Sequence, residues 1–305
     1  MRVVSYRHNG APGVAVVTDD EGIVPLREVA PDLPDTLRGI IAVDPSLERV
    51  RAAVKGKGAR LSLDEIIFDP PIPVPHAIWA LALNYTLHIQ ETGLTTSTEH
   101  PQIFMRMPLS QVGHRENLWA PPVDLAEAYD YEGELAVVIG KPGRHIKRAD
   151  AFDHVAGYAC YNEGSVREYQ SHNRQFGLGK NFERSGSFGP WLVTPDVVGD
   201  PADRTIITRL NGIERQHAAI SGMLFDVPAI IEYLSQGYTL QPGDVIVTGS
   251  PGALPLQPGE KPEKLSGPVV VEGQLHMRSG DLCEVEIDGI GTLSNPIIAD
   301  PTPRN

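Results

Sequence analysis

The chain has 305 residues, enough for a sizeable core in one large domain or a large domain with an appendage. Hydrophobic residues make up 41% and charged residues 21%, an ordinary globular balance, while the net charge of -13 argues against a nucleic-acid or anionic-membrane surface. Two cysteines, Cys160 and Cys283, without a C-x-x-C pair, exclude a disulfide framework and a thiolate zinc site and suit a reducing compartment.

The opening segment MRVVSYRHNG lacks the apolar core and small-residue cleavage site of a secretory signal. No stretch approaches the roughly 18 consecutive apolar residues of a membrane span. A cytoplasmic protein is therefore expected. Short apolar segments predict strands at residues 3–6, 13–17 and 22–26, with a turn at Asp19-Asp20-Glu21-Gly22. A helical patch covers residues 47–54. The run Asp69-Pro70-Pro71-Ile72-Pro73-Val74-Pro75 then predicts a stiff extended connector, because each proline fixes φ and removes an N–H. The boundary falls there, dividing a small N-terminal β subdomain with a helical patch (1–72) from a large domain (73–305).

In the large domain, apolar runs predict strands at 77–83, 135–139, 188–193, 245–248, 269–271 and 282–287. The last is followed by the turn Asp288-Gly289-Ile290-Gly291. Helical patterns are fewer, at 85–92, 165–175 and 227–235, with Pro228 as an early helical residue. With 30 Gly and 27 Pro, the connections are turn-rich. The predicted fold is β-rich α+β with a mixed β-roll or barrel-like core. No internal repeat, G-x-G-x-x-G loop or P-loop is present, so dinucleotide and NTP readings have no support.

Asp130-Tyr131-Glu132-Gly133-Glu134 runs directly into the apolar segment 135–139. Side chains alternate along a strand, so Asp130, Glu132 and Glu134 project from one face beside a segment that tends to be buried. Buried carboxylates cost several kcal/mol each unless a cation sits among them. A hard divalent ion, Mg²⁺, Mn²⁺ or Ca²⁺, meets that need with oxygen ligands. The plain alternative is a solvated edge face.

Further along, His88 and Glu91 stand at i and i+3 on the 85–92 pattern, which suits a carboxylate-oriented general base and equally a surface pair. Glu163 lies at a strand end, just before Ser165, a natural helix N-cap. Arg167 and Gln170 follow on adjacent faces and suit a carboxylate-bearing ligand. Lys180, flanked by glycine and aromatic residues, can reach a pocket and stabilise an enolate. The glycine-rich loop after 245–248 lets backbone N–H groups and the Thr248 hydroxyl approach a ligand closely.

In their order these pieces resemble the fumarylacetoacetate hydrolase family over roughly residues 75–297. The carriers are Asn84-Tyr85 with His88 and Glu91, Asp130 to Gly140, Gly157-Tyr158 with Asn162, Ser165, Arg167 and Gln170, and Gly179-Lys180-Asn181-Phe182. Gly189-Pro190-Trp191, Asn211-Gly212 with Gln216, Pro242-Gly243-Asp244 and residues 289–295 complete the set. The resemblance implies a homodimer, Mg²⁺ or Mn²⁺ on Glu132, Glu134 and Glu163, a water-activating pair His88 and Glu91, Lys180 as enolate stabiliser, and Tyr85, Arg167, Gln170 and Thr248 as substrate contacts. Asp130 is implied to stand behind the ligands.

Departures from the family pattern are Glu163 for the usual Asp, Leu87 for Asp, Ala82 for Gly, Arg106 for Lys and Ser250 for Thr. The implied reaction is hydrolytic C–C cleavage of an acylpyruvate-like, small anionic oxoacid through an enolate. The alternatives are decarboxylation, isomerisation or hydration of a 2-oxoacid by the same chemistry, and a non-catalytic ligand-binding protein.

Overall fold

A computed structural model describes residues 1–19, 21–85, 99–261 and 275–303. The strands expected near the N-terminus form at Arg2–His8, Ala11–Val17 and Gly22–Pro25, and the helical patch is the helix Glu48–Val54. Two further helices, Leu26–Val29 and Leu37–Val43, had no expectation attached to them. In the second, the Thr36 side chain caps the helix by accepting from the Gly39 N–H.

Among the described residues, a twelve-stranded mixed sheet forms the frame. Its path runs from Leu61–Ser62 through the three N-terminal strands to Gly186–Val193, Val155–Asn162, Gly133–Ile139, Val245–Val247, Ile78–Ala82 and Gln102–Arg106. Residues 1–72 meet the rest of the sheet at an antiparallel seam, Arg2 with Val193 and Val3 with Leu192. Neither the sheet nor the core breaks at residue 72: one apolar cluster joins Val3, Leu37 and Ile41 to Ile78, Ala136 and Val245. The proline-rich connector is tied to the first strand, with Ser5 Oγ donating to Pro71 O at 2.8 Å and the Asp69 N–H to Ser5 O at 3.0 Å.

A second, five-stranded sheet contains Ile213–Ala219, Thr205–Leu210, Leu282–Ile287, Gly291–Ala299 and Leu118–Ala120. The central strand Gly133–Ile139 is buried on both faces. Ala136 and Val138 enter the first core, while Leu135, Val137 and Ile139 pack with Val285, Leu293 and the helix Val227–Gly237. A strand covered on both sides reads as a continuous apolar run, which is how it stood out in the sequence. The helix Val227–Gly237 starts as its sequence predicts, with Asp226 accepting from the Ala229 N–H and Pro228 in the first turn.

The helix expected at 165–175 is largely replaced. Ser165–Val166 pairs as a short strand with Tyr129–Asp130, and only Arg167–Gln170 is helical there. Ser165 caps nothing, because its hydroxyl is held by Glu132 Oε2 and by Glu163 O, each at 2.7 Å. The strand expected at 269–271 lies outside the described residues, as does the 85–92 helix beyond Tyr85.

Candidate metal centre

The site grows from the pairing of Gly133–Ile139 with Val155–Asn162, in which Gly133 faces Asn162 and Glu134 faces Tyr161. That register leaves Glu132 just before one strand and Glu163 just after the other, side by side. The Glu163 N–H donates to Glu132 O at 2.8 Å, and Asn162 Oδ1 accepts from the Glu132 N–H at 3.1 Å. Gln216 locks the same end by accepting from the Gly133 N–H and donating to Pro251 O. Glu132, Glu134 and Glu163 each place a carboxylate oxygen within 4.8 Å of the others, and all three are buried.

Cations surround the cluster. Lys180 Nζ donates to Glu132 Oε2, and to Glu163 Oε2 at 2.7 Å. Arg167 Nη2 donates to Glu132 Oε1 at 2.9 Å, while its Nε donates to Asp130 Oδ2 at 2.9 Å. Arg106, the last residue of its strand, holds Nη1 at 3.8 Å from Glu163 Oε1. Among the described residues, four buried carboxylates thus meet three buried cations. Glu163 Oε1 has no hydrogen-bond partner. A surplus negative charge and an orphaned carboxylate oxygen in a cluster of hard oxygen donors fit a divalent cation, Mg²⁺ or Mn²⁺.

The electrostatics follow the pairing. Burial pushes the Glu134 carboxyl well above the usual carboxylate range, and the neighbouring Glu163 and Glu132 push it further. Burial also raises Glu163, against the opposing pull of Lys180 and Arg106. Burial acts on Glu132 too, yet Arg167 and Lys180 overrule it and hold that carboxyl far below its ordinary value. Among the described residues, Glu134 is the member without a side-chain cation bonded to it; its Oε2 accepts from the Gly249 N–H.

The residues proposed to touch substrate are distributed around this cluster. Tyr85 is buried, forms an isolated bridge with Met223, and carries a hydroxyl without a hydrogen-bond partner. Burial and the nearby Glu134 push its phenol pKa up, so it stays protonated. Arg167 donates to Gln170 Oε1 at 2.8 Å as well as to the acids, so these two side chains form one unit. Thr248 Oγ1 donates to Leu135 O at 3.1 Å. His88 and Glu91 lie outside the described residues.

Sequence reasoning did not foresee the parts taken by Asn162, Ser165 and Gln216 in shaping the strand ends. Each belongs to a motif quoted above, but a lone polar residue at a strand end reads as an ordinary turn or cap.

Residues 77–298 match the family model described as Fumarylacetoacetate (FAA) hydrolase C-terminal. Oxaloacetate tautomerase YisK of Bacillus subtilis (strain 168) is 39% identical over 238 residues, 77% of this chain and 74% of that protein. The mitochondrial oxaloacetate tautomerase of Xenopus laevis is 33% identical over 304 residues, 98% of this chain and 90% of that one. In three dimensions the chain is similar to maleylpyruvate hydrolase from Sphingobium sp. SYK-6, solved with manganese (II) ion and pyruvate. The TM-score is 0.78 at 25% identity, covering 98% of this chain and 99% of that one. Among the described residues, no helix is long and apolar enough to cross a membrane.

Proposed function

The chain belongs to the fumarylacetoacetate hydrolase family, and on that footing we propose that it is a divalent-metal-dependent tautomerase of a small 2-oxoacid, with oxaloacetate as the type substrate. What supports this most is its likeness, over 98% of its length, to a protein named as an oxaloacetate tautomerase. The isomerase-type alternative drawn from the sequence thereby moves ahead of C–C hydrolysis.

Glu132, Glu134 and Glu163 would hold Mg²⁺ or Mn²⁺, which when bound supplies Lewis acidity that favours negative charge on the 2-oxo oxygen. The chain's own task is to move one proton. From enol to ketone, the hydroxyl proton at C2 leaves and C3 gains one; no carbon–carbon bond breaks and no water is consumed.

Lys180, buried among the acids, presents an ammonium to the charge that develops on oxygen. The Tyr85 phenol, held protonated by its burial, donates to a substrate oxygen and orients it. The Arg167–Gln170 unit sets the polarity of the site beside Asp130 and Glu132. His88, with Glu91, is assigned the proton exchange at carbon.

Hydrolysis of an acylpyruvate is the second reading, favoured by the likeness to maleylpyruvate hydrolase. It uses the same residues, with His88 acting on water instead of on carbon.

The test is to strip the protein of metal, add Mg²⁺ or Mn²⁺, and follow the enol absorbance of oxaloacetate while assaying pyruvate and CO₂. Metal-dependent loss of the enol without either product is expected. An unchanged enol–keto rate would overturn the proposal. Stoichiometric pyruvate from an acylpyruvate would then support the hydrolase, and CO₂ from oxaloacetate a decarboxylase.

A further inference from the structure

Asn84 is fully buried, and its side chain is engaged at long sequence range. Nδ2 donates to Phe225 O at 2.9 Å and to Thr248 O at 2.7 Å, and Oδ1 accepts from the Phe225 N–H at 2.8 Å. Its main-chain oxygen accepts from the Leu224 N–H at 2.8 Å. The backbone is bent to allow this. Leu83 has φ 57, a left-handed conformation that costs a residue with a side chain. Gly249 has φ +95, and a Cβ there would lie 2.7 Å from Asn84 Cβ.

The Thr248 carbonyl that Asn84 holds and the Gly249 N–H belong to one peptide group. That N–H donates to Glu134 Oε2. A planar trans peptide points its C=O and N–H in opposite directions, so fixing the carbonyl on Asn84 aims the N–H at Glu134. A hydrogen bond at the carbonyl also polarises the N–H and makes it a stronger donor. Glycine at 249 would let this peptide rotate once nothing held its carbonyl.

We propose that Asn84 is a positioning residue of the metal centre, fixing the orientation of the Glu134 carboxylate through the Thr248–Gly249 peptide. Ligands of a bound ion are oriented by the groups behind them, and loss of such a group typically weakens metal affinity about 10–100-fold. Asn84 stands one group further back, with a peptide plane as the connecting part. The inference rests on the metal centre of the proposed function and is independent of which reaction follows.

Metal-stripped protein is titrated with Mn²⁺ by calorimetry, and the bound ion is examined by electron paramagnetic resonance, for the unaltered chain, Asn84→Asp, Asn84→Ala and Glu134→Gln. Asn84→Asp keeps the acceptor for Phe225 and loses both donors. Both Asn84 variants, with cooperative melting retained, are expected to bind Mn²⁺ about 10-fold or more weakly, with an altered spectrum. A folded Asn84 variant with affinity within about twofold of the unaltered chain and the same spectrum would overturn the inference, while weakening in Glu134→Gln alone would leave the metal centre standing. Mn²⁺ that fails to bind the unaltered protein would sink the metal centre and the inference together. If neither variant folds, hydrogen exchange in the unaltered protein decides. A protected Gly249 amide with a downfield proton supports the relay, and exchange at the rate of a free peptide overturns it.

Discussion

Arg167 bridges two acids of different standing: its Nε binds Asp130 Oδ2 and its Nη2 binds Glu132 Oε1, both at 2.9 Å. Asp130 also accepts from Nη2, so the two acids share one guanidinium. Burial disfavours the charged guanidinium, but Glu132 and Asp130 together hold it charged. Replacing Asp130 by Asn leaves Arg167 buried with one charged partner fewer. The expected loss is about 3 kcal/mol of folding stability, the scale for breaking a buried ion pair. Urea unfolding of the two proteins side by side measures it, and an unchanged midpoint would remove Asp130 from the structural account.

Glu132→Gln keeps shape and removes a charge from the proposed ligand set. Mn²⁺ affinity is expected to fall by more than the ~10–100-fold that losing an outer partner costs. Calorimetry on metal-stripped protein gives the answer directly, and retained affinity would place the ion elsewhere.

Lys180→Met acts in the opposite sense on binding and turnover. Removing the cation leaves the acid cluster more negative, so Mn²⁺ is expected to bind at least as tightly. Turnover of the enol is expected to drop by about 10²–10³-fold, the scale for losing a donor aimed at developing charge. Parallel measurement of kcat and Mn²⁺ affinity separates these effects. A variant that loses metal while keeping its per-site rate would refute the assigned role.

His114 sets an acid limit on stability away from the metal centre. Its ring meets Phe68 edge-on at 4.8 Å between centroids, and its Nδ1 accepts from the Ser294 N–H at 3.0 Å. Burial, helped by Arg115, pushes the imidazole from 6.5 down to about 4. The unfolded chain therefore takes up a proton on this residue before the folded one does. Its contribution is intact above about pH 6.5, declines as pH falls toward about 4, and is lost below that. The full span is at most about 3 kcal/mol. His114→Gln should show a shallower fall in unfolding free energy between about pH 7 and 4.5 than the unaltered protein; identical slopes would exclude His114 as the source.

What could be read from the sequence depended on how local each cause is. The run at 135–139 announced a strand because both its faces are buried, and the period of two alone put Glu132 and Glu134 on one side. Ser165 misled because a serine before a polar, helix-compatible stretch looks like a cap, whereas its hydroxyl partner, Glu132, is 33 residues away. The part played by Asn84 was invisible for the same reason: its partners Phe225 and Thr248 lie 141 and 164 residues along the chain. The helix Leu37–Val43 was missed because Gly39 interrupts an otherwise short apolar pattern, and the Thr36 cap that offsets it is a single hydrogen bond.

The seam that pairs Arg2 with Val193 and Val3 with Leu192 has a practical consequence for anyone trimming this protein. A fragment beginning at residue 77, the start of the family match, would leave Leu192 and Val193 without their pairing partners and strip the cover from Ile78, Ala136 and Val245. An open strand beside exposed apolar surface is a template for intermolecular pairing. Such a fragment is expected to aggregate on expression, although it would retain Glu132, Glu134 and Glu163.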